Sequence, residues 1–176
     1  VLMTASLARL LRQSISIENE LVTIGQEVEY VRSYLTIQKM RYKDKLEFEI
    51  NVDPRITHAQ IIRLVLQPIV ENAIYHGLKY KESKGMLKVH GYELGERIII
   101  DITDDGVGMD EETLKHIYDK HKVNYHSNGV GVYNVQQRLV LYYGKEYGII
   151  YHSEKGKGTT ATVVIPKKQE DVHEKI

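Results

Sequence analysis

Four short segments of this chain carry residue types that could do chemistry. The first is Glu71-Asn72-Ala73-Ile74-Tyr75-His76-Gly77, at the end of the most apolar stretch. Asn72 and His76 are four apart and share a helical face, with Glu71 one step round. Polar groups on so apolar a helix need partners if they are buried. Either they brace the fold or they line a ligand cavity. An Asn oxygen suits Mg²⁺, a hard cation that can also hold phosphates. Glu71 could orient an acceptor or a water. The second segment is Asp104-Asp105-Gly106-Val107-Gly108-Met109, directly after a strand-like run. Glycines spaced by one residue let the backbone turn sharply and approach a flat ligand. An Asp there can accept from a base's amino group, although Asp-Gly is also a common turn signal.

The third segment, Asn128-Gly129-Val130-Gly131-Val132-Tyr133-Asn134, precedes a helical pattern. Free amides and the macrodipole at such a start favour an anion. No Lys-Ser/Thr follows the glycines, so this is not a P-loop. The fourth, Gly156-Lys157-Gly158-Thr159-Thr160, lies between two strand candidates. It reads either as a hairpin or as a turn that brings a hydroxyl to a ligand.

The elements that must position these residues fit one domain. At 176 residues the chain is long enough for an ordinary core. The 42% hydrophobic and 27% charged fractions exclude a largely disordered or low-complexity chain. Lys+Arg and Asp+Glu both total 24, so a broad basic surface for nucleic acid is unsupported. The absence of Cys excludes disulfides, thiolate catalysis and Cys-ligated zinc. No apolar run approaches the roughly 18–20 residues of a membrane span, and no signal peptide is legible at Val1-Leu2-Met3. Without an initiator Met, the chain is expected to be a piece of a longer protein.

Residues 1–40 read as helix. Leu2, Leu7, Leu10, Leu11 and Ile15 form one apolar stripe, and a break follows near Ser16–Gly25. Thr23 and Gln26 have capping-box spacing. Val28, Val31, Leu35 and Ile37 form a second stripe, with Glu27, Glu29, Arg32 and Lys39 expected on the wet side. Leu46–Ile50 alternates as a strand, closed by Asp53-Pro54. Ala59–Leu78 is expected to be a buried helix that begins or kinks at Pro68. Strands follow at Met86–Tyr92 and Arg97–Thr103, joined near Gly95. A short helix is predicted over Glu111–Tyr118, a mobile loop over Lys120–Asn128 and a helix over Val130–Tyr143. Two last strands, Gly148–His152 and Thr159–Pro166, precede a charged tail from Lys167. Without strict βαβ alternation, an α+β sandwich fits better than a doubly wound sheet.

The order of the four segments resembles the N, G1, G2 and Gly-Thr boxes of the gyrase–Hsp90–histidine-kinase–MutL ATPase superfamily. Within it, the chain resembles the catalytic region of LytS/YesM-type sensor histidine kinases. Leu66-Gln67-Pro68-Ile69-Val70-Glu71-Asn72-Ala73-Ile74-Tyr75-His76-Gly77 matches that family's N box nearly throughout, and Gly129–Val135 with Arg138-Leu139 resembles its G2 box. Glu27–Leu35 and Gln38–Tyr42 resemble its lead-in helix. The resemblance covers roughly residues 1–166.

What it implies is a Bergerat-type two-layer α/β sandwich, a mixed sheet with helices on one face, preceded by a helical segment. The implied division is a partial dimerisation stem over 1–42, an ATP-binding catalytic domain over 43–168 and a tail over 169–176. By this resemblance Asn72 ligates Mg²⁺ and Asp104 accepts from the adenine amino group. Gly106 and Gly108 flank the base, Gly129 and Gly131 let a lid cover the phosphates, and Thr159 puts a hydroxyl near the adenine. His76 and Lys79 lie where polar groups face the nucleotide, and Glu71 is a candidate catalytic group. The Lys120–Asn128 loop would be the lid.

The implied cofactors are ATP and Mg²⁺. The implied partners are a response regulator and a second copy in the full-length protein, with no nucleic acid and no membrane contact by this piece. The implied place is the cytoplasmic end of a membrane-anchored parent. None of the eight His residues matches the family's phosphoacceptor context, so the acceptor would lie upstream. Two other readings stay open: a serine kinase of the anti-sigma-factor type, and a non-catalytic module that keeps the fold and dimerises.

Overall fold

The computed structural model describes residues 20–117 and 129–168. The predicted helix stripe over 2–15, the Lys120–Asn128 lid and the 169–176 tail lie outside the described residues. Strand β1 (Leu21–Thr23) leads into helix α1 (Ile24–Tyr42). The cap between them is the predicted one: Thr23 Oγ1 accepts from the Gln26 amide at 3.2 Å, and Gln26 Oε1 accepts from the Thr23 amide at 2.8 Å. Strand β2 (Leu46–Val52) and the short strand β3 (Gln60–Ile62) follow. Helix α2 (Leu66–Asn72) continues without a break into a π-helical turn, Ala73–Leu78. Then come β4 (Gly85–Leu94), β5 (Arg97–Asp104), the short α3 (Glu111–Lys115), α4 (Gly129–Tyr143), β6 (Gly148–Glu154) and β7 (Gly158–Pro166).

The main sheet has the order β2-β4-β5-β7-β6, with only the β2–β4 pair parallel. A parallel pair cannot be closed by a hairpin. The crossover between β2 and β4 therefore carries β3 and α2, and with them the Asn72 segment. One face of the sheet presents Leu87, Val89, Ile98, Ile100, Ile102, Val163 and Ile165, all buried. Ile24, Val31 and Leu35 of α1, Leu66, Ile69 and Val70 of α2, and Val132, Val135 and Leu139 of α4 join the same cluster. The opposite face shows Glu49, Asn51, Lys88 and His90 to solvent. The fold is thus α+β, a mixed sheet with helices layered on one side.

Three sequence expectations are corrected. Ala59–Leu78 is not one helix. Gln60–Ile62 pairs antiparallel with Leu21–Thr23, and the helix starts only at Leu66. Pro68 falls in the first turn, where a missing amide costs nothing. The helix then ends in π rather than α geometry, with the Lys79 amide reaching back five residues to the Ile74 carbonyl at 2.8 Å. Finally, Glu27 is not on the wet side: it is 1% exposed. Its Oε1 accepts from the Leu64 amide at 2.8 Å, and its Oε2 from the Val65 and Leu66 amides at 3.0 Å each.

Candidate functional site

The π turn and the loop after β5 build the site by close backbone approach. Gly77 lies under the Asp104 carboxylate, where a Cβ would stand 2.5 Å from Oδ1. The Gly77 carbonyl accepts from the Val107 amide at 3.1 Å, which pins the two segments together. At Gly106 any Cβ would overlap the Gly77 backbone. Gly108 has φ +63° and faces the Glu154 carbonyl, so it needs both freedoms of glycine. A π turn inside a helix is a frequent mark of a functional site. Here it tilts Gly77 into contact with the strand end.

Beside this junction is a cavity of about 220 Å³ lined by Asn72, His76, Asp104, Gly108 and Thr159, together with Ile69, Ala73, Ile102, Met109, Ile117, Tyr151 and Ala161. Apolar walls with a few convergent polar groups suit a flat heterocycle. A larger groove of about 770 Å³ runs between α1 and β2, but none of the candidate residues lines it.

Asp104 is 4% exposed. Burial pushes its carboxyl up to about 6, and the neighbouring Asp105 adds to the rise; amides of Gly106 and Thr159 and the more distant Lys81 pull the other way. Oδ1 accepts from the Gly106 amide at 2.9 Å, the Thr159 amide also acts on the carboxylate, and the carboxylate lines the cavity where a ligand's amino group could meet it. Asp105 points away: its Oδ1 accepts from the Met86 amide at 2.8 Å, and its Oδ2 pairs with Lys81 at 2.7 Å.

Asn72 closes α2, and its Oδ1 is buried with no hydrogen-bond partner among the described residues. A buried amide oxygen left without a donor is costly. His76 stands one turn on, with its side chain open to solvent on one side. Desolvation, with Lys79 nearby, lowers its pKa below the ordinary 6.5, which favours the neutral imidazole.

Thr159 pairs with Asp104 across β5 and β7. Its hydroxyl is 2.8 Å from that of Ser153, which itself donates to the Gly158 carbonyl at 2.9 Å and accepts from the Met109 amide at 2.8 Å. Ser153 has one proton, and the carbonyl takes it. Thr159 therefore donates to Ser153 and turns its lone pairs to the cavity. Ser153→Ala is expected to lower stability by about 1–2 kcal/mol, measured by urea unfolding, because the Met109 amide loses its partner.

The structure brings Asn72, His76, Asp104, Gly108 and Thr159 to one cavity. Gly106 sits behind it, against Gly77. Glu71 is outside the lining, with Oε1 accepting from Gln67 Nε2 at 2.9 Å. Lys79 is exposed, its ammonium 5.6 Å from the centroid of the Tyr80 ring. A Cβ built on Gly131 would stand 3.5 Å from the Pro68 Cβ, and Gly129 opens α4. Sequence reasoning missed Ser153, Tyr151 and the apolar walls. Ser153 lies one residue past the predicted end of β6, and only its alternation with Tyr151 could have pointed to it.

A model of the histidine kinase-, DNA gyrase B- and HSP90-like ATPase family matches residues 57–169, and a histidine kinase model matches residues 2–46. The chain is 34% identical over 170 residues to the sensor histidine kinase YesM of Bacillus subtilis, covering 97% of this chain and 28% of that one. It is 30% identical over 148 residues to the sensor protein LytS of Bacillus cereus, covering 84% and 25%. The chain thus spans about a quarter of the length of these curated relatives. Among solved structures, the histidine kinase domain of the Erythrobacter litoralis EL346 blue-light activated histidine kinase superposes with a TM-score of 0.60 at 17% identity, over 94% of this chain and 73% of that one. At that identity the likeness concerns the fold alone. With its helices layered on one face of a mixed sheet and its cavity at the Asn72 and Asp104 segments, the chain belongs to the histidine kinase-, DNA gyrase B- and HSP90-like ATPase family.

Proposed function

We propose that this chain is the ATP-binding catalytic part of a two-component sensor histidine kinase. In the longer protein it would transfer the ATP γ-phosphoryl group to a His on an upstream segment, for relay to a response-regulator Asp. One observation carries this reading: residues from the N-box, G1 and Gly-Thr segments converge on a single apolar-walled cavity with a buried carboxylate at its base. The Asp104 carboxylate accepts from the adenine amino group, Gly108 lets the backbone lie against the ring, and Thr159 offers an acceptor beside it. Neutral His76 adds polarity without charge. Gly129 and Gly131 lie in the first turn of α4, where helix N-terminal amides suit phosphate oxygens.

Mg²⁺ fits Asn72, whose buried Oδ1 is a hard donor without a hydrogen-bond partner among the described residues. When bound, the ion neutralises charge on the phosphates, the main need of phosphoryl transfer. Glu71, held by Gln67 outside the cavity lining, orients rather than reacts, since an imidazole nucleophile needs no strong base. Lys79 supports the phosphate end from the surface. Response-regulator recognition, dimerisation through the 1–42 segment and a membrane-anchored parent complete the proposal; among the described residues no helix is long and apolar enough to cross a membrane.

Calorimetric titration with Mg·ATP tests the reading, with binding in the micromolar to millimolar range expected; no heat at millimolar ATP would sink it. Asn72→Ala is expected to weaken Mg·ATP by about ten- to hundredfold, the worth of one contact to a charged partner. Adenosine binding should be nearly unchanged, and an equal loss for adenosine would remove Asn72 from the metal.

A further inference from the structure

The reading of Glu27 as a solvent-facing helix residue fails on its burial, and its partners give it a role. Glu27 sits in the first turn of α1. Its carboxylate receives the Leu64, Val65 and Leu66 amides, all within 3.0 Å, at the entry to α2. Those are donors that α2 cannot satisfy within itself. Leu64 is held at φ +59°, unusual for a side chain of its size, and stays 39% exposed. The carboxylate thus holds a strained turn in place. One residue earlier, the Arg63 carbonyl accepts from Arg138 of α4 at 2.8 Å. Three helices therefore meet at residues 63–66: α1 through Glu27, α2 through its own start, and α4 through Arg138.

Two of these helices run to the phosphate end of the cleft. α2 ends at Asn72, about 9 Å from Leu66 at 1.5 Å per residue, and α4 begins at Gly129. Asp104 is on β5, paired with Leu87 and Thr159, and the π turn that prolongs α2 is pinned to the loop after β5 by the Val107–Gly77 hydrogen bond, so the base end is held by the sheet as well as by α2. We propose that Glu27 is a positioning residue that sets the register of α2 against α1, so that the metal–phosphate end of the bound nucleotide responds to α1 more than the base end, which the sheet also holds. This rests on the nucleotide reading above. It gives the lead-in helix a physical handle on the site, through three hydrogen bonds rather than through bulk packing.

The test uses the 176-residue chain and two ligands, Mg·ATP and adenosine. Glu27→Gln keeps the shape but turns an amino group toward amide donors; Glu27→Asp keeps the charge with less reach. At a temperature where each variant is fully folded, Glu27→Gln should weaken Mg·ATP by about tenfold. Adenosine should change by less than about twofold, and Glu27→Asp should recover part of the loss. A general loosening of the fold would move both ligands together. Equal weakening of both, or no change in either, overturns the proposal.

If Glu27→Gln does not fold, amide exchange on the unmodified chain decides. Reciprocal coupling requires Mg·ATP to slow exchange at Leu64, Val65 and Leu66 more than adenosine does. Unchanged exchange at all three overturns the proposal. An unmodified chain that binds neither ligand overturns the nucleotide reading itself, and this inference with it.

Discussion

Asp104→Asn is expected to abolish measurable ATP binding and, at the same time, to make the ligand-free protein more stable. Both effects come from the same burial. A carboxyl held at about 6 against an ordinary 3.8 costs the fold about 3 kcal/mol when ionised. Asn removes that charge, and its Oδ1 still accepts from the Gly106 amide. Its Nδ2 then points a donor where the adenine amino group would also bring a donor, and two donors facing each other in an apolar cavity repel.

The sign is fixed by linkage. The raised carboxyl holds its proton longer in the folded state than in the unfolded one. Its contribution to stability is complete below about pH 4 and is lost as the pH rises through about 6. Unfolding of the two proteins should therefore coincide near pH 4. Above pH 7 the variant should gain roughly 1–3 kcal/mol, or several degrees in melting temperature. In the unmodified protein ATP affinity should fall as the pH drops below 6, because Asp104 takes up a proton. A variant that binds ATP normally, or that melts lower at pH 8, would remove Asp104 from the base of the cavity.

The second large effect is expected at Gly106→Ala. The added methyl would fall on the Gly77 backbone rather than on a flexible side chain. Neither partner can give way: the Gly77 carbonyl is bonded to the Val107 amide, and the Asp104 carboxylate lies over Gly77. Relief requires the π turn and the loop after β5 to part, which opens the cavity wall and strands Asp104. A loss of about 3 kcal/mol or more in urea unfolding is expected, with nucleotide binding lost. Gly95→Ala is the control for a glycine change in a turn at the other end of β5, since nothing lies within 4 Å of its Cβ position. Its cost is only that of a left-handed residue, about 1 kcal/mol. Equal stability of the two variants would mean that the Gly77–Gly106 contact does not hold the site.

Which parts were legible follows from the range of the forces. The Thr23–Gln26 cap joins residues three apart, so spacing alone identified it. The hairpin strands β4 and β5 alternate visibly and are joined at Gly95. The glycines at 106 and 108 announced a backbone that must pass close to something, though not that Gly77 was the neighbour. β3 was hidden because Gln60–Ile62 is only three residues long, and its partner strand lies 39 positions earlier. Its apolar pair merged with the helix that follows. The π turn was hidden because it arises from the docking of Gly77 on Val107, not from any propensity of Ala73–Leu78.

Glu27 and Ser153 show the same division from the side of the site. By composition a glutamate in an amphipathic helix belongs in water, and only three amides 37–39 residues away make its burial tolerable. Ser153 matters because Met109 and Gly158 converge on it across two loops.

The sequence by itself determined the residue types that could meet a nucleotide, the order of the four segments and most of the helices and strands, because periodicity, capping and glycine requirements act within a few residues. Only the tertiary structure decided which of those residues share a cavity, that Asp104 is held near pH 6, and that Glu27 faces inward. Desolvation and the pairing of buried polar groups depend on neighbours that the chain supplies from far along its length.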